Sequence, residues 1–164
     1  MRKPPATTLA WLAALIDGEG WVGYVKRKHK FTTYNYRAVL AVSNTERRLL
    51  EAIIEKTGTG RIYQHNRPPH ENHKRVAYTW RLNATELRVW LPWLIPWLVL
   101  KKEQAQLLLA VLEIQATLTP RLGVSSSDPA YQEARNRRVE IAAGIKYLNR
   151  KGPREEQSPR EGVM

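Results

Sequence analysis

Two acids close the first apolar run of this chain. In "LAALIDGEG", Leu12 to Gly20, Asp17 and Glu19 each precede a glycine. The residues before them have helical character, and a helix C-terminus carries partial negative charge, so acids there are ordinarily unfavourable. A cation held at that end removes the conflict. Mg2+ suits the chemistry: it prefers oxygen ligands and is commonly held by one or two carboxylates together with waters and substrate phosphates. The remaining composition suits phosphates. Lys and Arg number 27 against 15 Asp and Glu, a formal net charge of +12 over 164 residues. A metal-holding acid pair inside a phosphate-attracting surface describes metal-assisted phosphodiester chemistry.

Other classes fit less well. No apolar run is long enough to span a bilayer, and no N-terminal apolar segment resembles a signal peptide, so a membrane partner is not expected. Cysteine is absent, which excludes disulfides and thiolate metal sites and suits a reducing compartment. The expected location is intracellular, with access to DNA. His70 and His73 form an HxxH in a polar loop, a weak zinc signal without further ligands and more economically a loop that brushes nucleic acid. "TGTGR" lacks the spacing and the Lys-Ser/Thr of a phosphate-binding loop.

The elements that must position these residues follow from pattern. Residues 1–6 form a basic, proline-stiffened lead-in. Thr7 or Thr8 caps a helix that runs to about Asp17, with Leu9, Leu12, Leu15 and Ile16 on its large apolar face. Ala10, Ala13, Ala14 and Asp17 form a second stripe, small enough for another helix to approach closely. Gly18 and Gly20 end the helix. Trp21 to Lys28 and Tyr34 to Ser43 read as a hairpin. A second helix is capped by Asn44 or Thr45, buries Leu49, Leu50, Ile53 and Ile54, and ends at Gly58. "GRIYQH" and "KRVAYTWRL" read as a second hairpin around "NRPPHENH". In its second strand Val76, Tyr78, Trp80 and Leu82 face one way, and Arg75, Ala77, Thr79 and Arg81 the other. A helix from about Thr85 is interrupted by Pro92 and Pro96. Helices over Lys101 to Gln115 and from about Pro129 to Leu148 follow. The organisation is one domain over 7–148 and a disordered tail over 149–164. The fold class is α+β: a mixed, largely antiparallel four-stranded sheet with helices on one face. Its other face carries basic and polar side chains and needs a partner.

The motif at Leu12 to Gly20 resembles the one that names the LAGLIDADG homing endonucleases, departing from it at Ala14, Gly18 and Glu19. The resemblance covers roughly residues 8–118, the scale of one domain. It includes "VSNTERRLLEAI", "YTWRL" and "PWLVLKKEQAQLLL" and the order helix, hairpin, helix, hairpin, helices. It implies a saddle-shaped sheet, a homodimer joined through the small-residue stripe, and double-strand cleavage of a long pseudo-palindromic DNA. By position in the motif, Glu19 holds the divalent metal with the carbonyl of Gly18. Mg2+ is the implied ion, with Mn2+ as a substitute. Asp17 ties down helix ends across the dimer interface. Asn44, with Ser43 as the alternative, falls where a polar side chain organises the attacking water. Arg47, or Arg48, and Lys101 fall where basic groups flank the active site.

The family pattern puts Val22 and Tyr24 under the helices and turns Trp21, Gly23, Val25 and Arg27 toward DNA. On the later strands Arg37, Val39, Tyr63, His65, Arg75, Thr79 and Arg81 are the base-reading or phosphate candidates, since two-stranded ribbons fit the major groove. The same resemblance admits an alternative function, an intron-RNA-binding maturase that does not cut DNA.

Overall fold

A computed structural model describes residues 2–27, 35–65, 76–117 and 128–150. The order is α1 (Ala6–Glu19), β1 (Gly20–Arg27), β2 (Asn35–Asn44), α2 (Arg47–Thr57), β3 (Arg61–His65), β4 (Ala77–Arg81), α3 (Ala84–Leu94), a short 3-10 turn over Ile95–Trp97, α4 (Lys102–Thr117) and α5 (Pro129–Leu148). The strands form one sheet in the order β1-β2-β4-β3. Each neighbouring pair is antiparallel, so the expected mixed sheet is antiparallel throughout.

The register pairs odd-numbered residues with odd and even with even across the sheet: Gly20 opposes Val42, Trp21 opposes Ala41, and Arg81 lies between Ala41 and Arg61. Side chains alternate between faces along a strand. The even face is therefore the core face. Val22, Leu40, Val42 and Trp80 are fully buried there, and Tyr24 nearly so. Tyr24 stacks on Tyr36, with ring centroids 5.1 Å apart. The Tyr24 hydroxyl accepts from Gln115 of α4, and burial pushes its pKa up despite the opposing charge of Arg138.

Helix α1 is held by burial rather than by capping. It starts at Ala6 behind Pro5 with no side-chain cap, so neither Thr7 nor Thr8 has the expected role. Leu9, Leu12 and Ile16 are buried, and each such side chain contributes about 1.5–3 kcal/mol, more than the ~1 kcal/mol of an N-cap. The helix continues through Gly18 to Glu19, beyond the expected end at Asp17. It stops at Gly20, where a Cβ would lie 2.5 Å from the Ile16 carbonyl oxygen.

Caps set the other helices. Helix α2 is capped by Glu46 rather than Asn44 or Thr45, and Gly58 closes it with a φ of 64°. Its Leu50 and Ile53 are buried, with Ile54 partly so. Asn83 and Glu86 form a capping box on α3, which runs through Pro92 without the expected interruption there. Helix α5 lies against α4 and the outer strand β1. Asn149, placed in the expected disordered tail, instead donates from its side chain to the Val22 carbonyl of that edge strand. Residues 151–164 lie outside the described residues.

Candidate nucleic-acid interface and active site

The last turn of α1 meets the turn that precedes α4. The Asp17 carboxylate accepts from the backbone N–H of Val99 at 2.7 Å and of Lys101 at 2.9 Å. The Lys101 ammonium donates to the Asp17 carbonyl oxygen. The acid thus satisfies free N–H groups around the positive end of α4, and the lysine neutralises the negative end of α1. Part of the cation expected at this helix end is therefore a lysine of the same chain. Within the chain, Asp17 ties the end of α1 to the start of α4.

Glu19 is left over. Its side chain is exposed, with no hydrogen bond or ion pair to any described residue. Beyond the Gly20–Val42 pair, β2 continues to Ser43 and Asn44, so the end of the sheet adjoins Glu19. A free carboxylate and the last-turn carbonyl of Gly18 are oxygen donors of the kind Mg2+ takes. No group of three or more ligating acids or histidines occurs among the described residues.

The other catalytic candidates are placed differently. Asn44 uses its side-chain oxygen locally, accepting from the Glu46 N–H at 2.8 Å in the turn into α2. Its even parity also puts it on the core side of the sheet, whereas the alternative, Ser43, is on the open side. Arg47 pairs with Glu51 at 2.8 Å on the surface of α2 and lies 5.8 Å from the Tyr78 ring centroid. Exposed pairs of this kind are worth at most about 1 kcal/mol, so Arg47 is not locked in place. Arg48 is exposed on the same helix. Lys101 alone of the basic candidates reaches the end of the motif helix.

The small-residue stripe divides. Ala13 is fully buried in the chain's own core and cannot form a dimer contact. Its position follows from Leu9 and Ile16, which flank it at helical spacing on the same buried side. Ala14 is exposed and Ala10 half-buried. Gly18 is exposed as well, and a Cβ on it would meet nothing within 4 Å. The open stripe of α1 therefore runs through Thr7, Ala10, Ala14 and Gly18.

The odd face of the sheet is open. Trp21, Val25, Arg37, Val39, Ala41, Ser43, His65, Thr79 and Arg81 line one groove of about 330 Å³. Seven of these were expected from sequence; Ala41 was not, and Ser43 was expected only as a substitute for Asn44. Gly23 is a correction. It is buried, and the Trp21 indole covers it, with ring carbons 2.4 Å from where a Cβ would sit. Tyr63 is exposed at the groove margin, and Arg81 packs its guanidinium 5.5 Å from the Tyr63 ring centroid. The Arg81 Nε is buried without a hydrogen-bond partner. Arg27 ends β1 opposite Asn35. Arg75, His70 and His73 lie outside the described residues. Arg61, exposed on the same face, was missed; its parity with Tyr63 and His65 was the available signal. Among the described strand residues this face carries arginines and no acid.

Three side chains cross the groove floor as a hydrogen-bonded chain. His65 Nε2 is 2.6 Å from Thr79 Oγ1, and Thr79 Oγ1 is 2.7 Å from Ser43 Oγ. Thr79 is only 2 % exposed.

No family sequence model matches the chain, and no curated protein matches it in sequence. Solved structures do match in fold. The homing endonuclease I-CvuI in complex with its target superposes with a TM-score of 0.65 at 23% identity, over 90% of this chain and 85% of that one. The archaeal intron-encoded homing endonuclease I-Vdi141I, complexed with DNA, gives 0.69 at 19% identity, over 91% and 88%. The I-SmaMI LAGLIDADG homing endonuclease bound to cleaved DNA gives 0.64 at 21% identity, and there 95% of this chain covers 48% of the other. The chain has the LAGLIDADG homing endonuclease fold.

Proposed function

We propose that this chain is a site-specific homing endonuclease. As a C2 homodimer it hydrolyses one phosphodiester in each strand of a long pseudo-palindromic duplex, using Mg2+ or Mn2+. The observation that carries this reading is the Glu19 carboxylate at the end of the motif helix, without a partner among the described residues and beside a groove that among them is lined with arginine and free of acid.

The roles divide as follows in this reading. Arg37, Arg61 and Arg81 draw in the duplex and hold its phosphates or base edges. Glu19 and the Gly18 carbonyl would hold the metal, which would supply charge neutralisation at the phosphate and a more acidic water. Lys101 and Asp17 fix the end of α1, so the Glu19 backbone is placed before DNA arrives. The fold supplies one motif helix per chain, and a match to about half of the I-SmaMI chain supports a second copy providing the other. Ala14 and Gly18 are the residues that let two such helices meet.

The test separates binding from cutting. Glu19→Gln keeps shape and removes charge. It should bind its selected duplex within about threefold of the unaltered chain. Its cleavage in Mg2+ should fall by about a hundredfold or more, the scale of losing one electrostatic stabiliser. Equal cutting rates at matched protein and metal would remove Glu19 from the mechanism. If the unaltered chain binds a structured intron RNA and cuts no duplex in either metal, the maturase reading replaces this one.

A further inference from the structure

We propose that the His65–Thr79–Ser43 chain is a proton-controlled readout device: the charge on His65 decides whether Ser43 can offer a hydrogen-bond donor to a base edge in the groove. The proposal rests on the sheet face being the duplex-reading surface, as argued above.

One buried hydroxyl couples the two hydrogen bonds. A threonine hydroxyl has a single proton and can donate to only one partner. Thr79 Oγ1 sits between His65 Nε2 at 2.6 Å and Ser43 Oγ at 2.7 Å, and at 2 % exposure it has no water to turn to. The directions of its two bonds are therefore coupled. In one arrangement Nε2 is unprotonated and accepts from Thr79. Thr79 must then accept from Ser43, whose proton is consumed, and Ser43 presents only lone pairs. In the other, Nε2 carries hydrogen and donates to Thr79, Thr79 donates to Ser43, and the Ser43 proton is free for the groove.

Neutral His65 has both tautomers, so a bound base can select either arrangement. Cationic His65 has hydrogen on both ring nitrogens, and only the second arrangement survives. The step takes one proton from solvent onto the ring. The two hydroxyls rotate, and no other covalent bond changes. Histidine is the side chain whose charge changes at ordinary pH.

His65 shares its strand face with Arg61 and Tyr63. Arg81 of β4 and Arg37 of β2 line the same groove, and β1 contributes Trp21 and Val25, which carry no charge. A cationic ring holds the second arrangement, with the Ser43 proton facing the groove. In the major groove it favours edges with acceptors, such as O6 and N7 of guanine, over the donor amino group of cytosine.

Binding selection from a randomised duplex pool, without divalent metal and at fixed ionic strength, tests this at about pH 5.5 and about pH 8. At the lower pH one symmetric pair of positions should shift toward acceptor-bearing bases by about threefold to tenfold, the ordinary worth of one hydrogen bond. The rest of the profile should hold. Thr79→Val cuts the chain while keeping His65, and should reduce the shift to less than about twofold. Ser43→Ala should do the same, and Thr79→Ser should preserve the response. A pH response that persists in Thr79→Val and Ser43→Ala would overturn the proposal, as would a defined site with no response in the unaltered chain. If no defined site emerges at either pH, the duplex-reading assignment of the sheet fails first, and this proposal with it.

Discussion

Asp17 and Lys101 exchange roles between two helix ends. Each compensates the end that the other's chain segment leaves unsatisfied, and both hold the turn at Val99–Lys101 against the motif helix. Asp17→Ala removes the acceptor for two backbone N–H groups. It should lower stability by about 2–4 kcal/mol, since hydrogen bonds to a charged group are worth about 1.5–3 kcal/mol each and solvent recovers part of the loss. Asp17→Asn keeps an acceptor oxygen and should cost less. Urea unfolding of the three proteins measures the series. Equal midpoints would mean that the carboxylate does not organise this corner. Lys101→Ala loses a cation at a helix C-terminus, an effect of about 0.3–1 kcal/mol. Any larger loss of cleavage in that variant reports on the active site rather than on folding.

Glu86 accepts three hydrogen bonds that tie α3 to the turn before β3. Its carboxylate accepts from the Asn83 N–H at the start of α3, from the Thr59 hydroxyl, and from the Gly60 N–H in the turn before β3. Gly60 has a φ of 83°, and a Cβ there would lie 2.1 Å from Trp80 Nε1. That nitrogen donates to the Thr59 carbonyl, so the turn is moulded around the largest buried side chain of β4. Burial opposes the charge on Glu86, but these hydrogen bonds prevail and hold its pKa below the ordinary 4.5. A depressed carboxylate contributes fully above its unfolded pKa and loses its contribution as pH falls through the lower folded value. Stability should therefore decline below about pH 4.5 in the unaltered chain. Glu86→Gln should start about 1–2 kcal/mol lower at neutral pH, the scale of a lost cap, and decline less on acidification. Denaturant midpoints from about pH 3 to about pH 7 check both slopes. Parallel curves would mean that another carboxylate governs the acid transition.

The whole molecule carries a formal net charge of +12, and its open sheet face has no acid among the described strand residues. Self-repulsion opposes the proposed dimerisation, so association would have to come from close helix contact and from shared DNA. The open α1 stripe separates assembly from folding. Ala13→Leu should overpack the chain's own core and cost about 1–3 kcal/mol of monomer stability. Ala14→Leu and Gly18→Val point into open space and should leave the monomer's unfolding free energy within about 0.5 kcal/mol. Both should nevertheless split the dimer. Light scattering at micromolar concentration, with denaturant unfolding of the same samples, distinguishes the cases. If the unaltered chain is a monomer that cuts both strands at full rate, the homodimer reading is wrong.

Periodicity placed the strands and helices to within a few residues and showed the apolar face of β4, whereas on β1 the family resemblance, not the period, put Val22 and Tyr24 under the helices. Alternating residues on a pleated sheet have only two faces to choose from, and Val22, Tyr24, Leu40, Val42 and Trp80 share one parity. The motif at Leu12–Gly20 likewise singled out the corner proposed for the metal, because a helix that ends in acids needs a local reason. What the linear chain could not decide were contacts between residues distant in sequence. Asp17 meets Val99 and Lys101 only after α4 folds back onto α1. Ala13 and Ala14 are identical in type, and the packing of α1 against the sheet and α3 determines which one is covered. Asn44 and Ser43 are neighbours whose roles divide by sheet face, and the turn into α2 claims the asparagine. The His65–Thr79–Ser43 chain needs three strands in register, with β4 inserted between β2 and β3. A hydrogen bond depends on tenths of an ångström, whereas sequence pattern carries only period and polarity.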